Sequence, residues 1–184
     1  MQDFLDKAIE LEALKFGSFK LKSGIESDYF FNIAAFFDSE SLSFLADCYV
    51  LKILDLKIDF DLFFGPAYKG IPLASVVATK YFEATKKNIP LAFDRKEEKS
   101  HGEGGTIMGN LEGKKALLID DVLTAGTAIK NSIEIIESNR GTFVGALVAL
   151  DREEPHDSGK TFQEFYAEQG IKIHSIAKIS ELKK

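Results

Sequence analysis

The run Ala116-Leu117-Leu118-Ile119-Asp120-Asp121-Val122-Leu123-Thr124-Ala125-Gly126-Thr127-Ala128 decides the fold. A short apolar run, of a length suited to a buried strand, ends in two adjacent carboxylates. A Thr-Ala-Gly-Thr loop follows, and the spacing predicts a helix over 128–138. Glycine lets the backbone come close to a ligand. Successive amides at a helix start point at an anion, and the helix dipole favours negative charge there. The hydroxyls of Thr124 and Thr127 add donors. The loop therefore reads as a cradle for one phosphate monoester. Asp120 and Asp121 are acceptors, suited to sugar hydroxyls or to the water shell of a metal ion. An Asp-Asp turn before an ordinary Thr/Gly helix cap uses the same residue types. The acid pair set directly on a buried strand, and the length of the loop, favour the cradle.

Outward from this run the chain alternates strand and helix. The predicted strands are Leu62-Phe63-Phe64, Leu91-Ala92-Phe93, residues 116–119, residues 143–150 and Ile171-Lys172-Ile173. The predicted helices cover 40–54, with Ser39 as N-cap, then 71–86, with Pro72 in its first turn, 128–138 and 162–169. Upstream, apolar residues at helical spacing predict a helix over 3–15 that Gly17 ends. Phe19-Lys20-Leu21 and residues 29–33 read as short strands around a turn at Ser23-Gly24. Strands alternating with helices imply an α/β fold with a mainly parallel central sheet flanked by helices. Ligands of such sheets bind at the carboxyl ends of the strands, which is where the informative residues fall.

Length and composition set the frame. A chain of 184 residues suits a single domain, 1–184, and can bury a substantial core without disulfides. The net charge of −6 argues against a protein whose main task is holding nucleic acid. The single cysteine, Cys48, lies in an apolar run and reads as a small buried side chain. The first ten residues lack the basic start and apolar stretch of a signal peptide, and no run is long and apolar enough to span a bilayer. A cytoplasmic location is expected.

Four further segments carry polar chemistry. Phe64-Gly65-Pro66-Ala67-Tyr68-Lys69-Gly70 is a glycine-rich turn after a strand that bears a cation, the combination a diphosphate needs. Residues 94–109 are charged and glycine-rich, with Arg95, Lys96, Lys99 and His101 on a stretch able to close over a polyanion. Leu21-Lys22-Ser23-Gly24-Ile25-Glu26-Ser27-Asp28-Tyr29-Phe30-Phe31-Asn32 offers a lysine and an aromatic wall suited to a planar heterocycle. Arg152, just past a strand, can fork onto a carboxylate.

Taken together, these segments resemble the orotate phosphoribosyltransferases of the type I phosphoribosyltransferase family, over most of the chain from Leu14 to Arg152. The resemblance implies transfer of the phosphoribosyl group of phosphoribosyl pyrophosphate (PRPP) to orotate. It implies that Asp120 and Asp121 hold the ribose hydroxyls and that Val122, Leu123, Thr124, Ala125, Gly126, Thr127 and Ala128 hold the 5-phosphate. Tyr68 and Lys69 then belong to the pyrophosphate turn. Arg95, Lys96, Lys99 and His101 belong to a catalytic loop that reaches into the neighbouring subunit of a homodimer. Lys69, Lys99, His101, Asp120 and Asp121 are the implied catalytic set. Lys22, Phe30, Phe31, Thr124 and Arg152 would meet orotate, within a small hood formed mainly by residues 1–35.

Magnesium is the implied cofactor, carried largely by PRPP, with Asp120 and Asp121 reaching it through water. No nucleic-acid or membrane partner is implied. The family's arginine and proline are replaced by Ile25 and Asp28, and Ser100 stands where an acid is common. A purine or uracil phosphoribosyltransferase, or a PRPP-sensing regulator, would share the cradle. Neither accounts for Lys22, the 94–105 segment and Arg152 together. The region after Glu154 carries no functional reading.

Overall fold

The computed structural model describes residues 2–20, 26–95 and 107–182. Helix α1 (Gln2–Glu10) leads into an antiparallel pair, β1 (Leu14–Lys20) and β2 (Glu26–Phe31). A 3-10 turn, Ile33–Phe36, precedes α2 (Ser39–Leu56). Then come β3 (Leu62–Gly65), α3 (Gly70–Thr85), β4 (Leu91–Asp94), β5 (Ile107–Met108), β6 (Lys115–Leu123), α4 (Thr127–Ser138), β7 (Thr142–Asp151), α5 (Phe162–Glu168) and β8 (Ile173–Lys178). The main sheet runs in the order β5-β4-β3-β6-β7-β8. Every pairing in it is parallel except β4 with β5 at one edge. The expected α/β architecture is the one observed.

The central strands are buried on both sides, so they read as continuous apolar runs. Leu117 and Ile119 of β6 join Phe63, Leu147 and Ala149 under α1, α2 and α3. Ala116 and Leu118 turn the other way, with Leu62, Phe64 and Val148, to meet Ile129 and Ile136 of α4 and Tyr166 of α5. Each fully buried Leu, Ile or Phe stabilises the fold by about 1.5–3 kcal/mol. Cys48 is partly rather than fully buried against the first of these clusters, and burial pushes its thiol up to about 11.

The main departures from the sequence expectations are local. The first helix ends at Glu10 rather than running to 15. Glu12 takes a positive φ, and Leu14 pairs with Phe31 across β1 and β2, so strand pairing overrides the helical spacing. Gly17 sits within β1 instead of capping a helix. The N-cap of α2 is Asp38, one residue before the expected Ser39; its carboxylate accepts from the Glu40 and Ser41 amides. The last strand starts at Ile173, where the sequence pattern placed its end. Ile107 and Met108, taken as loop, pair with Asp94 and Phe93. The expected turn at Ser23-Gly24 lies outside the described residues.

Candidate active site at the carboxyl end of the sheet

Strand β6 does not stop before its acid pair. Asp120 stands opposite Val148 and Leu123 opposite Asp151, so the parallel ladder with β7 carries both carboxylates inside the strand. Asp120 is 8% exposed; its Oδ1 accepts the Asp121 amide at 2.9 Å, and its carbonyl accepts the Tyr49 hydroxyl of α2 at 2.6 Å. Burial, reinforced by the neighbouring Asp121, pushes Asp120 up to about 7. Asp121 faces the open end of the sheet, where its Oδ2 meets Lys69 Nζ at 2.8 Å. This ion pair joins two segments that the sequence presents separately.

Beyond β6 the chain turns through Gly126, with φ of 70°, into α4. No side chain caps that helix start, so its first amides are free of an internal acceptor and available to an anion. Ala125, Thr127 and Ala128 are exposed there. The support beneath the loop comes from α5, a region with no functional reading in the sequence. The Tyr166 hydroxyl donates to the Ala125 carbonyl at 2.9 Å, and a side chain at position 126 would collide with the Tyr166 ring. The Lys130 ammonium lies 5.4 Å from the same ring's centroid. The sequence signal for α5 was its capping box, with Thr161 and Glu164 satisfying each other's backbone amides.

The turn after β3 is equally tight. A Cβ on Gly65 would lie 2.5 Å from the Gly70 carbonyl oxygen, so only glycine fits. The Ala67–Tyr68 peptide is cis, and the Ala67 amide donates to Asp94 Oδ1 at 2.7 Å, tying this turn to the end of β4. Lys69 precedes α3, and the Tyr68 side chain is 65% exposed. Arg95 leaves β4 with its guanidinium against Met108 Sδ of β5. Lys96, Lys99 and His101 lie outside the described residues, as does Lys22.

The antiparallel pair β1–β2 brings its aromatic residues to the sheet on alternate sides. Phe31 turns inward against Phe4, whereas Phe30 is 41% exposed and packs on Phe19. The two rings therefore cannot both face one ligand. Arg152, immediately after β7, meets Tyr29 and Ser27 of β2 and lies 3.0 Å from Glu154 Oε1. Two cavities lie away from all of this. One is lined by Phe4, Cys48, Leu51 and Ile176, the other by Lys57, Lys115, Lys172 and His174 at the opposite end of the sheet.

Among the described residues, then, the structure brings together Lys69, Asp120, Asp121 and the 122–128 loop. It places Tyr68 and Arg95 on neighbouring turns and sets Phe30, Phe31 and Arg152 around the β1–β2 pair. Tyr29, Tyr49, Asp94 and Tyr166 are supporting residues that the sequence did not single out.

The chain is similar to known proteins at each of these levels. The phosphoribosyl transferase domain model matches residues 42–174. An orotate phosphoribosyltransferase of Xanthomonas campestris pv. campestris is 47% identical over 183 residues, covering 97% of this chain and 83% of its own length. One from Salmonella paratyphi A is 43% identical, over 98% of this chain and 85% of its own length. The crystal structure of the Francisella tularensis orotate phosphoribosyltransferase superposes with a TM-score of 0.84 at 34% identity, over 97% of this chain and 86% of that one.

Proposed function

The chain belongs to the phosphoribosyltransferase family, in its orotate branch, and from that premise we propose how its residues divide the reaction. It transfers the phosphoribosyl group of PRPP to orotate in de novo pyrimidine biosynthesis, giving orotidine 5'-monophosphate and pyrophosphate. The observation that carries the division of labour is the Lys69–Asp121 pair at 2.8 Å, which sets the Tyr68–Lys69 turn beside the acid pair of β6.

The 5-phosphate rests on the exposed amides and hydroxyls of residues 124–128, at the start of α4. Asp120 and Asp121 accept the ribose hydroxyls. The pyrophosphate lies on the turn holding Tyr68 and Lys69. As a ring nitrogen of orotate attacks the anomeric carbon, the bond to pyrophosphate breaks with inversion and positive charge builds on the ribose. Asp121 stabilises that charge, and Lys69 the departing diphosphate. Lys99, His101, Lys96 and Arg95 act from the 94–109 segment, which by family resemblance closes over PRPP and excludes water. Orotate sits between the hood, with Lys22, the Phe30 ring and the backbone of Phe31, and the Thr124–Arg152 side, where Arg152 takes its carboxylate.

Magnesium is the proposed cofactor. Among the described residues no cluster of three potential ligands is present, and two adjacent carboxylates suit water-mediated contact with an ion carried on a diphosphate. When bound it neutralises charge on the leaving group. The proposed assembly is a homodimer in the cytoplasm, with the 94–109 segment acting in the partner's site. No helix among the described residues is long and apolar enough to cross a membrane.

The deciding assay follows orotate consumption with PRPP and magnesium, with adenine, hypoxanthine and uracil as parallel acceptors. PRPP-dependent loss of orotate supports the reading; turnover of another base alone overturns the hood and Arg152 assignments. PRPP binding without any turnover points to a regulator. Mixing Lys99→Ala with Asp121→Asn tests the dimer. Recovered activity after subunit exchange supports a loop acting in trans, and none counts against it.

A further inference from the structure

We propose that Tyr29, with Ser27, is a positioning residue for orotate recognition: it grips one edge of the Arg152 guanidinium and turns the other edge toward the substrate carboxylate. The inference rests on the reading of Arg152 given above and deepens it.

Residues 27, 29 and 31 share the inward face of β2, while 26, 28 and 30 are exposed. This register brings Tyr29 to Arg152 across 123 residues of chain. The Tyr29 hydroxyl uses both of its capacities on that one residue. It donates to the Arg152 carbonyl at 3.2 Å and accepts from Arg152 Nε at 3.2 Å. The guanidinium also lies 4.9 Å from the centroid of the Tyr29 ring. Ser27 Oγ accepts from Nη2 at 3.2 Å and donates to the Tyr29 carbonyl at 2.8 Å, which locks the tyrosine's own strand. Glu154 Oε1 stands 3.0 Å from Nε on the same side.

The arginine side chain is only 9% exposed, so it is held rather than swinging in solvent. Nε and one Nη2 hydrogen are engaged. The Nη1 group and the second Nη2 hydrogen form the end-on fork, the geometry that takes a carboxylate bidentately. Burial raises the Tyr29 phenol, so it stays protonated and able to donate throughout the neutral range. The arrangement couples hood to base site. Docking β2 against the domain and aiming Arg152 are one event.

Steady-state kinetics on wild type, Tyr29→Phe and Ser27→Ala test the idea. Phenylalanine keeps the ring and its cation contact but removes both hydroxyl bonds. Tyr29→Phe is expected to raise the orotate KM about tenfold, the loss of one hydrogen bond to a charged group. The PRPP KM should stay within about twofold, and the preference for orotate over uracil should fall by about the same factor as orotate affinity. Ser27→Ala should move the same quantities less. It carries the same test should Tyr29→Phe lower the thermal midpoint. An unchanged orotate KM in both variants overturns the inference, as does an equal rise in both KM values, which a merely structural role would give. Wild-type protein that consumes no orotate overturns the underlying reading and this inference together.

Discussion

The proposed phosphate cradle and the proposed base site are built in opposite ways. Everything that shapes the cradle from β6 through Gly126 to the start of α4 lies within residues 115–128, and its supports approach from below. The base site has no such continuity. Arg152 follows β7, and apart from the nearby Glu154 its partners, Tyr29 and Ser27, come from β2, 123 and 125 residues away in sequence. A phosphate is the same anion in every substrate of this kind, and a loop of backbone amides at a helix start recognises it from local geometry alone. A particular base must be told from its relatives by side chains aimed from several directions. Common chemistry sits in one contiguous stretch, and discrimination sits between distant ones.

That contrast can be broken by substitution, beginning with the largest effect. Asp121→Asn removes the carboxylate proposed to stabilise the developing ribose charge and takes from Lys69 its ionic partner at 2.8 Å. It is expected to lower kcat by about 100-fold or more, the scale of one lost electrostatic stabiliser. A kcat within a few fold of wild type would shift the main charge stabilisation elsewhere. Gly126→Ala strikes the cradle locally. It forces a side chain into a positive-φ position and against the Tyr166 ring, so a loss of about 2–4 kcal/mol in stability is expected in denaturant unfolding. Weaker PRPP binding should accompany it, with orotate affinity spared.

Arg152→Ala strikes the other region. It should cost about 1.5–3 kcal/mol in kcat/KM for orotate, leaving PRPP binding near wild type in a calorimetric titration. If PRPP binding weakened equally, the two regions would not be separable.

Acidity should act on the cradle side. Asp120 is held up at about 7, chiefly by burial, against an ordinary 3.8. In its proposed role as acceptor of a ribose hydroxyl it must be unprotonated, so PRPP affinity should fall by about tenfold per pH unit below 7, and Asp120→Asn should flatten that slope while weakening binding at pH 8. The sign for stability is the reverse. The folded chain holds this proton more tightly than the unfolded one, so its contribution is complete below about 4 and is lost as pH rises through about 7. Thermal midpoints of the unliganded protein across that window check it. The smallest expected effect is Tyr166→Phe, which deletes the bond to the Ala125 carbonyl for about 1 kcal/mol. A rise in PRPP KM with unchanged kcat marks it as a support of the loop.

Legibility in the sequence followed the same division. The β6-to-α4 run showed itself by an apolar strand, paired acids and a glycine turn, all of which express themselves within a few residues. The diphosphate turn was legible for the same reason, since Gly65 and Gly70 are demanded by the local close approach of the backbone. What was misread depended on pairing. Residues 11–15 carry helical spacing, yet the ladder between Leu14 and Phe31 draws this stretch into β1. Phe30 and Phe31 read as one aromatic wall until the strand separated their faces.

By itself, then, the amino-acid sequence determined the strand–helix alternation, the parallel sheet and the place of the glycine turn that opens α4. Side-chain period, turn chemistry and helix-start amides act between near neighbours and do not depend on what the rest of the chain does. Only the tertiary structure decided that β6 carries its acids inside the ladder with β7 and that Asp121 meets Lys69. It alone set Tyr166 beneath the loop and Tyr29 against Arg152. Those contacts join segments whose separation is closed by the sheet order and by the packing of the hood and α5. No local pattern records which distant side chain will arrive.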